Sequence, residues 1–224
     1  MTRVAVLASG SGTNLQAILD HQRAMGWASS AAQVVLVASD RASAGALVRA
    51  RDAGVTALAL DAVARTSGLL ALLGSHRVEM VALAGYLRLV PPDVVRHFRG
   101  RMLNVHPALL PAFGGPGMYG HRVHEAVIAS GARVSGVTAH FVDERYDEGP
   151  IIAQWPVPVM PDDTAADLAG RVLAAEHVLY PRVVDAVAAG RVGLGDDGRV
   201  WYQHGVFQQL QFSQLPTPNS QLSA

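Results

Sequence analysis

Four short apolar runs punctuate the first hundred residues, at 4–8, 34–38, 56–60 and 80–84. Each is continuous rather than alternating, the pattern of a strand buried on both faces of a parallel sheet. Between the runs the period changes to that of helices. Leu15, Ile18 and Leu19 follow the first run, and an Ala-rich stretch over 42–53 follows the second and stops near Gly54. The third run leads to a predicted helix over 66–75, and the fourth to a short one beginning near Pro91-Pro92. Strands alternating with helices predict βαβ units with right-handed crossovers.

Beyond residue 105 the rhythm differs. Residues 107–120 hold three prolines and four glycines, a loop long enough to suggest function. A helix is predicted over 121–130, with Val123, Ala126 and Val127 facing inward. Residues 137–142 alternate, placing Thr138 and His140 on one face and Val137, Ala139 and Phe141 on the other. A strand over 151–157 leaves the loop around Asp147 and should pair antiparallel with them. Thr164 and Asp167 approximate a capping box for a helix with the inner stripe Leu168, Val172, Ala175 and Leu179. Pro181 should kink or restart that helix and Gly190 end it. Asp196-Asp197-Gly198 resembles a hairpin turn, and from 203 onward the Gln- and Ser-rich chain reads as a loosely ordered tail. The expected fold is α/β, a mostly parallel Rossmann-like sheet flanked by helices, with antiparallel strands added in the C-terminal half. The expected organisation is one domain over 1–202, with a phosphate-binding half (1–100) and a catalytic half (101–202), followed by the tail 203–224.

Composition narrows the function. Half of the 224 residues are apolar, 18 basic residues balance 18 acidic ones, and there is no cysteine. Zero net charge disfavours nucleic acid as a partner. Without cysteine there are no disulfides, thiolate nucleophiles or Cys-based zinc sites. No apolar run approaches the ~18 residues of a membrane span, and the N-terminal run is too short for a signal peptide. A cytoplasmic protein is expected, and a homo-oligomer is left open.

The chemistry concentrates between residues 103 and 150. In Leu103-Asn104-Val105-His106-Pro107 the polar residues are two apart, so on a strand Asn104 and His106 share a face while Leu103 and Val105 pack behind them. Pro107 should end the strand, leaving an amide and an imidazole where ligands of open α/β sheets bind. Asp147 arrives from a later loop that closes with Gly149-Pro150. Gly10-Ser11-Gly12-Thr13-Asn14, between the first strand and first helix, is a phosphate-binding arrangement: glycines admit an anion and the free N–H groups of the helix start point at it. Thr13 and Asn14 can add donors or cap the helix. A dinucleotide fingerprint wants a third small residue at 15. Leu15 there favours a single phosphate over a pyrophosphate.

Ser9-Gly10-Ser11-Gly12-Thr13-Asn14-Leu15-Gln16-Ala17, Leu83-Ala84-Gly85-Tyr86-Leu87-Arg88, Leu103-Asn104-Val105-His106-Pro107-Ala108-Leu109-Leu110-Pro111, His140-Phe141-Val142, Asp147-Glu148-Gly149-Pro150 and Glu176-His177 together resemble the folate-dependent formyltransferases. The resemblance covers roughly residues 3–190. The Gly-Ser-Gly-Thr-Asn loop resembles the glycinamide ribonucleotide branch of purine synthesis. It implies that 10-formyltetrahydrofolate is the co-substrate and glycinamide ribonucleotide the acceptor. It implies that Gly12, Thr13 and Asn14 hold the ribonucleotide phosphate and that Glu176 meets its ribose. It further implies a pterin pocket lined by Leu87, Arg88, Leu89 and Val90, by Asn104, and by the 142–147 loop with Val142, Asp143 and Glu144. Arg65 is the candidate for the folate's glutamate tail. Residues 113–120 depart from the commoner family pattern, being longer and glycine-rich, with Pro116 where similar loops often carry a basic residue.

The reaction so implied is attack of an amine on a formyl carbon through a tetrahedral oxyanion, which needs a donor for the developing charge and a proton for the leaving nitrogen. Asn104 fits the first role and His106 the second, with Asp147 raising the histidine pKa and fixing its orientation. His140 is placed to order a proton-shuttling water. No metal is expected. The plainer readings make Asn104 and His106 structural hydrogen-bonders, Asp147 a turn cap, Glu176 a solvated side chain, and Asp40 a helix cap rather than a ribose contact. His121 and His124, beside Glu125, read as surface histidines because the His-Glu-x-x-His zinc pattern is absent. A nicotinamide-dependent oxidoreductase conflicts with Leu15 and leaves Asn104 and His106 unused. A non-catalytic nucleotide-binding module has no need of Asp147 in register with them. A methionyl-tRNA formyltransferase needs an RNA-binding domain and more positive charge. A 10-formyltetrahydrofolate hydrolase would lack the phosphate loop and usually carries an N-terminal regulatory domain, for which the strand beginning at residue 3 leaves no room.

Overall fold

The apolar runs become neighbouring strands in the computed structural model, which describes residues 1–26 and 29–210. Strand β1 (Thr2–Leu7) lies between β2 (Ala32–Ser39) and β4 (Met80–Leu83), parallel to both. β3 (Thr56–Ala59) lies outside β2, and β5 (Met102–His106) lies beside β4, again parallel. β6 (Val134–Phe141) and β7 (Ile151–Pro158) extend the sheet antiparallel, giving the order β3-β2-β1-β4-β5-β6-β7. The order reverses at β1, so a crevice opens at the carboxyl ends of β1 and β4.

Both faces of the sheet are covered, as the unalternating runs require. Val4 and Val6 join the cluster packed by α1 (Thr13–Met25), α2 (Gly45–Asp52) and α6 (Ala165–Ala188). Ala5 and Leu7, one residue out of phase, join the cluster under α3 (Leu69–Ser75) and α4 (Pro92–His97). The same alternation governs β5, where Leu103 and Val105 belong to the first cluster and Asn104 and His106 therefore face the other way. α5 (His121–Ser130) has the predicted bounds, with Val123 and Val127 fully buried. The hairpin around Gly198 forms from β8 (Val192–Leu194) and β9 (Val200–Tyr202).

Several expectations need correction. α2 starts at Gly45 rather than 42, and Asp40 caps no helix; it pairs with Arg88, 2.8 Å away. Helix α3 likewise starts at Leu69 rather than 66. α6 carries the predicted capping box and continues through Pro181 as one helix rather than restarting there. The expected tail begins instead with a short helix, α7 (Val206–Leu210), whose Val206 and Leu210 join the main core. The remainder of that tail, 211–224, lies outside the described residues. Among the described residues no helix is long and apolar enough to cross a membrane.

Candidate active site

β5 ends at His106 with Asn104 and His106 on one face, and β6 backs them residue for residue. His140 stands opposite Asn104 and Thr138 opposite His106 in the antiparallel register. The Asp147 loop returns between β6 and β7, drawn close because Gly149 passes Phe141 where a Cβ would overlap its carbonyl oxygen. Asp147 Oδ1 accepts from Asn104 Nδ2 at 3.3 Å, Oδ2 accepts from the Gly115 N–H at 3.0 Å, and Oδ2 stands 3.4 Å from His106 Nδ1. The second hydrogen of the Asn104 amide goes to His140 Nε2 at 3.1 Å. Since His140 Nδ1 donates to the Phe141 carbonyl at 2.8 Å, its Nε2 is the free acceptor. His140 thus meets Asn104 directly.

His106 Nε2 donates to the Phe113 carbonyl at 2.8 Å. Both ring nitrogens therefore face acceptors, and only the imidazolium satisfies both. Burial acts in the opposite direction and prevails: it pushes the His106 pKa below its usual value, against the Asp147 charge and the Phe113 hydrogen bond. Asp147 raises the His106 pKa as expected, but desolvation of a buried cation outweighs one neighbouring carboxylate and the net shift is downward. Asp147 itself is pulled down despite its burial, by the facing His106 imidazole and the Gly115 N–H that donates to it. Among the described residues only Arg77, Phe113 and Asp147 adopt positive φ without being glycine. Two of these three strained residues touch His106, and such strain collects where surrounding structure imposes a functional geometry.

Asn104, His106, His140 and Asp147 line a cavity of about 480 Å³ whose wall also includes Asn14 and Glu176. Gly12 caps α1 in the left-handed region at φ 76°, so neither Thr13 nor Asn14 caps the helix with its side chain. Instead Asn14 Nδ2 donates to Glu176 Oε2 at 2.6 Å, and Asn14 Oδ1 stays buried without a partner. Burial drives the Glu176 pKa up to about 7, against the Asn14 hydrogen bond. Gly12 and Thr13 sit beside Asn14 at the helix start without lining the cavity. The amides of that first turn have no partner within the helix.

Leu87, Arg88, Leu89, Val90, Val142 and Asp143 all line the cavity. Glu144 does not, being ion-paired with Arg96 at 2.9 Å on the surface. Arg65 also lies outside the lining, near enough to influence the Tyr86 hydroxyl. Tyr146, within the expected 142–147 loop, also lines the cavity, whereas the sequence reading did not assign residues 115–121 or His124 to its wall. His124 is buried, correcting the surface assignment, and burial, His121 and His106 lower its pKa to about 4. Its spacing from Val123 and Val127 on the inner face of α5 was the available signal. Among the described residues no cluster of three or more metal-ligating side chains occurs.

A Rossmann-like sheet with an amide, an imidazole and a carboxylate converging at the end of its last parallel strand matches a known family. The chain belongs to the formyl transferase family, whose model matches residues 2–184. Its similar relatives are more particular. It is 42% identical over 210 residues to the chloroplastic phosphoribosylglycinamide formyltransferase of Vigna unguiculata, covering 91% of this chain and 64% of that protein. It is 40% identical over 204 residues to the bovine trifunctional purine biosynthetic protein adenosine-3, covering 88% of this chain and 19% of that one. The chain therefore spans only part of the curated relatives it matches. The crystal structure of glycinamide ribonucleotide transformylase 1 from Symbiobacterium toebii superposes with a TM-score of 0.82 at 44% identity, covering 91% of this chain and 94% of that one.

Proposed function

We propose that the protein transfers a formyl group from 10-formyltetrahydrofolate to the amine of glycinamide ribonucleotide. The observation that carries this reading is the convergence of Asn104, His106 and Asp147 on one cavity that Asn14 and Glu176 also line. The half of the chain before residue 100 supplies the phosphate end, and the half after it supplies the chemistry. Gly12, Thr13 and Asn14 take the phosphate on free helix-start amides, Glu176 takes a ribose hydroxyl, and the segments 87–90 and 142–143 take the pterin.

The amine's lone pair forms the new C–N bond while the formyl π electrons move onto oxygen. Asn104 donates to that oxygen, which exchanges for His140 Nε2 as acceptor of one amide hydrogen. The growing negative charge favours protonation of His106, which burial otherwise opposes. Asp147 holds the imidazolium by charge and by orientation. The oxyanion electrons then re-form the formyl C=O as the C–N10 bond breaks toward the folate nitrogen, which takes its proton from His106, and the ammonium proton passes to solvent.

Tetrahydrofolate release from 10-formyltetrahydrofolate, with and without glycinamide ribonucleotide, tests the assignment. The wild type should require the ribonucleotide, and His106→Ala should lower kcat by about 10²–10⁴-fold. Ribonucleotide-independent release would mark a hydrolase. No release from folded protein would overturn the enzyme reading.

A further inference from the structure

Beside His106 along the sheet, outside the cavity lining, Thr138 of β6 and Gln154 of β7 form a hydrogen-bond group. Thr138 is completely buried. Its hydroxyl donates to the Ala108 carbonyl at 2.7 Å and accepts from the Leu110 N–H and Gln154 Nε2, each at 3.0 Å. Gln154 Nε2 spends its other hydrogen on the Leu110 carbonyl at 2.8 Å. One hydroxyl thus uses its single hydrogen and both lone pairs, and one amide uses both hydrogens. Neither residue lines the cavity.

What the group holds is the chain leaving the catalytic strand. His106, Thr138 and Gln154 form one row across β5, β6 and β7, because His106 pairs with Thr138 and Thr138 with Gln154. Ala108 and Leu110, two and four residues past His106, hang from that row. The turn closed by the Ala112 N–H on the Leu109 carbonyl, 3.1 Å, then delivers Phe113, whose carbonyl accepts from His106 Nε2. Phe113 holds a strained positive φ, a conformation that persists only when its neighbours impose it.

We infer that Thr138 and Gln154 are positioning residues for catalysis: they fix residues 108–113 so that the Phe113 carbonyl meets His106 and sets its orientation and proton affinity. This rests on His106 being the proton donor proposed above. Neither residue touches substrate, so its effect falls on kcat and on the titration of His106 rather than on binding. Asp147, His140 and His124 also face His106, and none of them is bonded to the Thr138–Gln154 group.

Full-length Thr138→Val, Thr138→Ser, Gln154→Leu and wild type would be compared by formyl-transfer kinetics and by NMR titration of the His106 imidazole. Valine at 138 and leucine at 154 should lower kcat about 10-fold or more, the scale of misplacement effects, with KM for both substrates within about twofold. In both, the His106 pKa should fall further as the Phe113 hydrogen bond loosens. Thr138→Ser retains the hydroxyl and should restore both readouts. An unchanged His106 titration in Gln154→Leu would overturn the inference, as would a Thr138→Ser as impaired as the valine variant. Should Thr138→Val fail to fold, the half-buried Gln154 decides the matter alone. The titration does not depend on the substrate, so a wrong substrate assignment would leave it readable.

Discussion

Asn14 and Glu176 are 162 residues apart in the chain, yet the Asn14 amide donates to the Glu176 carboxylate at 2.6 Å. The bond ties the start of α1 to the middle of α6 in the wall of the cavity. Its acceptor is a buried acid whose pKa rises from 4.5 to about 7. A carboxyl with a raised folded pKa binds protons more tightly folded than unfolded, so stability is complete below about pH 4.5 and declines as pH rises through 7. Glu176→Gln should remove that slope, gaining on the order of 2–3 kcal/mol relative to wild type at pH 8. Chemical denaturation at pH 5 and pH 8 measures it, and an equal slope in both proteins would contradict the account.

Asp147→Asn keeps the shape of the loop but removes the charge facing His106 at 3.4 Å. Asp147 now works against the burial that depresses the His106 pKa, so its neutralisation should move that pKa lower still. The pH–rate limb assigned to His106 should shift acidward and kcat should drop about 10²-fold or more. A variant with the wild-type limb would show that Asp147 does not tune the imidazole.

Gly12→Ala probes the phosphate end. The residue has φ +76°, and a Cβ would lie 2.6 Å from Ala46 Cα. The strained backbone should cost about 1–3 kcal/mol, and the displaced first turn should raise KM for the ribonucleotide well above any change in KM for the folate. Parallel Michaelis curves for the two substrates check this, and equal changes in both would remove the phosphate role.

Much of the arrangement was legible because it depends on periods. Continuous apolar runs gave the parallel strands, and the two-residue spacing of Asn104 and His106, repeated in Thr138 and His140, gave the facing rows of β5 and β6. The capping box was local and readable. The unreadable parts depend on distance in the chain. The pairing of Asp40 with Arg88 joins residues 48 apart and displaced a cap assignment that local propensity favoured. The direction of the His106 shift required knowing how deeply it is buried, a tertiary quantity. Glu144 and Asp143 are neighbours in sequence, yet one lines the cavity and the other pairs with Arg96, a choice made by the turn rather than by residue type.

The antiparallel pairing of β5 with β6 also bears on how such a chain can change over evolutionary time. Side chains alternate along a strand, so one inserted or deleted residue within β5 or β6 would turn every partner after it to the opposite face. Asn104 would lose His140, and His106 would lose Thr138. The loop residues 114–120, and those between Phe141 and β7, can lengthen or shorten without such inversion. Variation in length should therefore accumulate in the loops that cover the cavity, while the two strands that carry its chemistry keep their residue count.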